Sequence, residues 1–169
     1  EINNKNIFDL LDGAYNAAKQ SMAEPKEGTI ITVMRDIAIE SKNHMDSEDI
    51  KNTFNAIYKV SVKSLNNTPE QMKILKDAGV VDAGAQGFVD LIEGLYHYIK
   101  TGENLNPESI DIHETASADI DVENYDDSNY QFCTECIVEG DSINRRDMKE
   151  ALSTMGDSFI LAGTKNKVK

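Results

Sequence analysis

The stretch GVVDAGAQGFVDLIEGLYHYIKTG, residues 79–102, joins a loop of small residues to an amphipathic helix, and the rest of the chain is read outward from it. Its first part, Gly79 to Gly87, has few bulky side chains, so a ligand can approach the backbone closely; a tight connection inside a helical bundle has the same composition. Asp82 has the chemistry to cap the following helix, to bind a ribose or an adenine, or both. From about Ala85 to Lys100 the spacing of Phe88, Leu91, Ile92, Leu95 and Ile99 predicts one inward helical face, with Gly102 as its C-terminal stop.

The preceding residues repeat the helical period. Ile7, Leu10, Leu11, Ala14, Ala18 and Met22 recur at spacings of three and four and predict a helix ending before Pro25. A second helix is expected from Thr29 with Ile30, Val33, Ile37 and Ala38. A third, after Asp46 or Ser47, aligns Ile50, Phe54, Ile57, Ser61 and Leu65. Thr68-Pro69-Glu70-Gln71 carries a hydroxyl at the N-cap, Pro at the first helical position and Gln three residues on, so a fourth helix is expected to begin there and stop at Gly79. Five amphipathic helices need a shared core, which predicts an antiparallel α-helical bundle over residues 1–102.

Composition limits what such a bundle does. The 169 residues hold 30 Asp plus Glu against 17 Lys plus Arg, a net charge of -13. Phosphate backbones need a basic surface, so no nucleic-acid partner is expected. No apolar run is long enough to cross a bilayer, so membrane insertion is not expected either. Two cysteines make no secreted disulfide framework and no signal-like segment opens the chain, so a cytoplasmic location is the expectation. The chain begins at Glu1, which reads as a piece of something longer. Nine acids and no Lys or Arg lie between Glu103 and Asn129. Such a stretch cannot bury enough apolar surface to offset its chain entropy, so residues 103–128 are expected to be an acidic linker.

After the linker the period changes. Tyr130, Phe132, Thr134, Cys136 and Val138 alternate as in a strand. Asn144 is expected to cap a helix with Met148, Leu152 and Met155, ended by Gly156. Residues 158–162 read as a second strand, and Lys165-Asn166-Lys167 as a turn into an edge starting at Val168. Residues 129–169 are therefore the start of a small, incomplete α+β segment, too short for confident independent stability. Cys133 and Cys136 point to opposite faces of a strand and do not converge on one another. Cys136 is expected to be a buried core thiol. His44, His97 and His113 have no metal-ligand spacing and are expected at the surface.

Chemistry concentrates at two helix junctions. Glu27-Gly28-Thr29 sits where a loop becomes a helix, and the free N–H groups there can accept a phosphate or a nucleotide edge; helix capping by Thr29, with Gly28 supplying the turn, needs the same residues. The small-residue loop containing Asp82, Ala83 and Gly84 is the second.

Four motifs then carry a resemblance: Ala14-Tyr15-Asn16-Ala17, Pro25 to Val33, Thr68-Pro69-Glu70, and Leu75 to Gly87 with Glu93-Gly94. In this order and spacing, residues 7–102 resemble the later part of a DhaL-type nucleotide domain, most closely that of the bacterial fatty acid kinase (FakA/YloV) family. Tyr130 to Glu135, Met155 to Ser158 and Val168-Lys169 are similar to the start of that family's middle domain. The resemblance implies a partial eight-helix barrel and an ATP-dependent kinase. That kinase phosphorylates a fatty acid carboxylate presented by a DegV-like fatty-acid-binding protein; related domains phosphorylate dihydroxyacetone. Carried over by motif, Thr29 and Ile30 would sit beside the adenine, Gly28 would permit close approach, and Asp82, Ala83 and Gly84 would close over the nucleotide. Cys133 matches a zinc ligand whose His-x-His partners would follow Lys169.

The family's Asp-Gly-Asp-Thr-Gly metal motif and its Gly-Ala-Arg-Gly-Asn-Ser-Gly phosphate loop do not occur in these 169 residues, so no catalytic residue and no magnesium ligand is assigned. Five helices of eight would leave an apolar face uncovered, which predicts instability, self-association such as a homodimer, or pairing with the missing segment. The competing reading is a non-catalytic helical module docking an acyl-carrying partner, with Tyr15, Tyr58, Tyr96 and Tyr98 on its face. The 169-residue chain is predicted to be inactive and to bind ATP weakly or not at all; robust magnesium-dependent turnover in an ATP-hydrolysis or acyl-kinase assay would overturn this.

Overall fold

The computed structural model describes residues 2–105, 132–156 and 159–169. Seven helices and two short strands occur among them: α1 Asn4–Ser21, α2 Ile30–Asn43, α3 Ile50–Asn66, α4 Thr68–Gln71, α5 Lys73–Ala78, α6 Ala83–Thr101, β1 Val138–Glu139, α7 Arg145–Leu152 and β2 Lys167–Val168. The acidic stretch lies almost wholly outside the described residues, as do His113 and Tyr130. None of the described helices is long and apolar enough to cross a membrane.

The chain divides into two compact units. The first comprises Glu1–Asn16 with Lys26–Ile120, the second Ala17–Pro25 with Asp121–Lys169. In the first unit α2, α3 and α6 pack on one another in all three pairings. Direction follows from side-chain bonds: Tyr58 reaches Glu93, Asn55 reaches Tyr96 and Lys51 reaches the carbonyl of Lys100, so α3 runs against α6. Ser64 near the end of α3 bonds Asp36 in the middle of α2, and Thr68 just past α3 meets Gly28 just before α2, so these two are also antiparallel. The N-termini of α2 and α6 consequently share one end. Ile7, Val33, Ile37, Ile57, Leu65, Ala85, Val89 and Ile92 form the core between the helices.

The boundaries follow local chemistry. Thr29 caps α2, its hydroxyl accepting from the Ile31 amide, and Asp49 caps α3 through the Asn52 amide. Gly79 and Gly102 take left-handed conformations that end α5 and α6, where a β-carbon would be strained. Two expectations need correction. On α6, Ile92 is buried and Phe88 packs against the core as expected, but they are joined there by Ala85 and Val89, while Leu91 and Leu95 are 58% and 43% exposed. On α1, Ile7 is buried but Leu10 is 70% exposed. Both helices carry apolar residues over more than one stripe, and on α6 the stripe facing α3 and α2 is the one that is covered. Leu10 on α1 and Leu91, Leu95 and Tyr98 on α6 are exposed apolar side chains.

In the second unit the strand expected from Tyr130 to Val138 is much shorter. Only Val138 and Glu139 pair, antiparallel with Val168 and Lys167, and the described residues 132–137 are exposed and unpaired in any ladder. Asn144 caps α7 as expected, but Met155 lies beyond the helix end and is exposed. Ile160 bridges Met22 rather than a strand of the C-terminal segment, with Ala23 donating to the Phe159 carbonyl and Leu161 to that of Ser21. Lys149 donates to the carbonyls of Gln20 and Met22, so the residues ending α1 are built into this unit.

Ile57 is fully buried at the centre of the first unit. Ile57→Ala is expected to destabilise that unit by about 3 kcal/mol, because the close-packed helices cannot collapse into the cavity. Urea unfolding followed by helical circular dichroism measures it, and an unchanged midpoint would contradict this packing.

Candidate functional site: the α2 and α6 helix junction

Both junctions singled out in the sequence meet in one place. Asp82 precedes α6 and caps it, its Oδ2 accepting from the Ala85 amide at 2.8 Å. The same oxygen accepts from the amide of Ile30, the first residue of α2, at 3.2 Å. One carboxylate oxygen thus serves two helix N-termini, each with the positive end of its macrodipole pointing at it. Thr29 and Ile30 are thereby brought beside Asp82, and the β-carbon of Ile30 lies 3.9 Å from where a β-carbon on Gly84 would stand. Ala83 and Gly84 are exposed. Their amides, the first two of α6, have no acceptor among the described residues.

Gly28 does a different job from close approach to a ligand. It is buried with φ of 81°, and a β-carbon there would stand 2.7 Å from Met72 Cγ, 2.9 Å from Gln71 Cβ and 3.0 Å from the Thr68 carbonyl oxygen. The missing side chain admits α4 and its following residues. Its amide donates to Thr32 Oγ1 at 2.9 Å, and Thr32 in turn donates to Glu27 at 2.6 Å. Glu27 also pairs with Arg35 at 2.6 Å, and Arg35 pairs with Asp36 at 3.0 Å. Burial lowers the Arg35 pKa, but Asp36 and Glu27 outweigh it and hold the guanidinium above its ordinary value.

Sequence reading missed two buried hydroxyls. Thr32 is the hub between Gly28 and Glu27. Thr68, expected as an N-cap, makes no cap bond for α4, whose flanking residue is Asn67. Its hydroxyl donates to the Leu65 carbonyl at 2.7 Å and accepts from the Asp82 amide at 3.1 Å. The Ser/Thr content of an apolar helix face was the available signal.

The remaining candidates lie elsewhere. Cys133 and Cys136 are both exposed free thiols, which corrects the buried core position expected of Cys136. With the strand shortened to two residues there is no ladder to carry them into a core. No group of three or more His, Cys, Asp or Glu capable of holding a metal occurs among the described residues, so they do not fit a magnesium or zinc centre on their own. His44 and His97 are half-buried rather than fully at the surface, and His44 bonds Glu40 at 3.0 Å. Tyr58 and Tyr96 stack with centroids 5.2 Å apart. Burial and the bond to Glu93 hold the Tyr58 hydroxyl above its ordinary pKa.

Comparison with known proteins places this junction in context. The DAK2 domain family matches residues 1–97, and the FakA-like middle domain of fatty acid kinases matches residues 129–169. Protein YloV of Bacillus subtilis is 30% identical over 184 residues, covering all of this chain and 32% of YloV. An uncharacterized protein of Staphylococcus aureus strain USA300 is 31% identical over 181 residues, and one of Staphylococcus epidermidis 28% over 179, each again with 32% of its length covered. The chain spans about a third of these relatives. With the DAK2 domain accounting for more than half of its residues and the middle domain following, the chain belongs to the DAK2-domain family, in its FakA-like (fatty acid kinase) branch.

Proposed function

We propose that this chain is part of an ATP-dependent kinase that phosphorylates a fatty acid carboxylate held by a DegV-like binding protein, and that the α2 and α6 junction receives the nucleoside end of ATP. The observation that carries the reading is the double bond of Asp82 Oδ2 to the Ile30 and Ala85 amides. It assembles Thr29, Ile30, Asp82, Ala83 and Gly84 at one exposed helix end. A carboxylate at that end repels phosphate and favours a neutral hydrogen-bonding edge such as an adenine or ribose hydroxyl. Gly28 supports the wall from behind rather than touching the ligand. Phosphoryl transfer is chiefly positioning and charge neutralisation, with magnesium bridging the phosphates when bound. No magnesium ligand set occurs among the described residues, so no step is assigned to them. Cys133, exposed, is proposed to act as a zinc ligand only together with groups outside this chain. A cytoplasmic setting suits a soluble nucleotide as phosphate donor.

Joining the chain to the preceding segment of a relative such as YloV is expected to give a protein that binds magnesium-ATP in a calorimetric titration. Asp82→Ala in that protein is expected to weaken binding about tenfold or more, through loss of two charge-assisted bonds. Phosphorylation of a fatty acid presented by a DegV-like protein, and not of dihydroxyacetone, is the expected acceptor result. Absence of any magnesium-ATP binding would sink the kinase reading in favour of a docking module.

A further inference from the structure

We infer that Thr68 is the positioning residue for the Asp82 carboxylate, an inference that rests on the nucleotide reading of the α2 and α6 junction. Thr68 is fully buried, and its hydroxyl is committed in both directions. The proton goes to the Leu65 carbonyl at the end of α3, and a lone pair accepts the Asp82 amide fourteen residues further along the chain. None of this serves α4 itself. The Glu70 amide bonds the Asn67 carbonyl, and Pro69 has no amide to satisfy. The hydroxyl is therefore spent on holding the loop that presents Asp82 against the end of α3.

The same residue reaches the other half of the junction through its backbone. Its carbonyl accepts from the Met72 amide and lies 3.0 Å from the position a β-carbon on Gly28 would take. Gly28 stands two residues before Ile30, whose amide bonds Asp82 Oδ2. Thr68 thus touches the approach to α2 with its backbone and the approach to α6 with its side chain, and the carboxylate that joins the two helices hangs from the backbone it holds. A hydroxyl that must donate one way and accept the other can be replaced by Ser but not by Val, although Val has nearly the shape of Thr. Loss of that bond frees the Asp82 backbone, and the carboxylate then misses at least one of its two amides.

The test compares Thr68→Val and Thr68→Ser with the unaltered 169-residue chain by amide hydrogen exchange, with circular dichroism confirming that each is helical. Thr68→Val is expected to speed exchange at Asp82, Ile30 and Ala85 roughly tenfold, as loss of one buried hydrogen bond implies, leaving amides in the middle of α3 unchanged. Thr68→Ser is expected to behave as the unaltered chain. Equal exchange in the Val variant, or a uniform rise across α3 and α6, would overturn the positioning role. Adding magnesium-ATP to the same three sequences joined to the preceding segment of a relative such as YloV reads the second link: amide chemical-shift changes at Thr29, Ile30, Ala83 and Gly84 are expected with the unaltered and Ser sequences, and at severalfold higher ATP with the Val sequence. No shifts in any of the joined proteins, even at millimolar ATP, would count against the nucleotide reading, and the exchange comparison in the 169-residue chain would still decide the role of Thr68.

Discussion

A single carboxylate oxygen accepting an amide from the first turn of each of two helices is the constraint on which the first unit depends. The N-terminus of a helix leaves amides unsatisfied, and two N-termini side by side place two partial positive charges in one spot. Without a negative group between them, α2 and α6 would repel at that end. Asp82 removes the repulsion with one oxygen, at 2.8 and 3.2 Å. The parallel alignment of α2 and α6 then leaves α3 to run against both, so the dipole of α3 opposes its neighbours. Buried Ile37, Ile57, Val89 and Ile92 fill the space between them.

Around that carboxylate, buried hydroxyls take the place that apolar side chains hold in the middle of the bundle. Thr32 and Thr68 are each fully buried, and each carries a bond across a junction, which Thr68 makes in addition to its donation to the Leu65 carbonyl three residues back. Deeper in, Ser41 and Ser61 turn their hydroxyls back onto carbonyls three residues earlier. The serines satisfy themselves locally so that helices can approach, whereas the threonines also accept or donate across a junction and so tie loops together. Small volume and a satisfied donor make both uses compatible with burial.

The helices of the first unit were legible because their signals are local. Thr29 before α2, Gly79 after α5 and Gly102 after α6 act within a turn of themselves, and each sits at the boundary the spacing indicates. What a helix faces is not local. Phe88, Val89, Leu91, Ile92 and Leu95 make α6 apolar over a broad arc, and only the position of α3 decides that Val89 and Ile92 go inward. The pairing of Asp82 with Ile30, fifty-two residues apart, is likewise invisible to spacing, although both residues were singled out. In the second unit the alternation from Tyr130 onward read as a strand because alternation records only what a strand would permit. Pairing needs a partner, and Val168 and Lys167 supply one for just two residues. The exposure of Cys136 follows from that shortage.

The charge balance bears on the junction more directly than on the chain as a whole. Arg35, the cation nearest in sequence to the α2 N-terminus among those built into its first turns, is spent on Glu27 and Asp36. Asp82 adds a negative charge where the two helix dipoles would otherwise draw an anion. The favourable field for phosphate is thereby largely cancelled at the Asp82 side, and what remains is the pair of exposed amides of Ala83 and Gly84 beside a fixed carboxylate. Adjacent donors and an acceptor match the edge of a heterocycle or a diol better than a tetrahedral anion, which offers acceptors alone. If ATP binds here, its specificity for the nucleoside and its affinity for the phosphates come from different parts of the protein. On the proposed reading the α2 and α6 junction supplies the nucleoside contacts, and no magnesium ligand set to neutralise the phosphates occurs among the described residues.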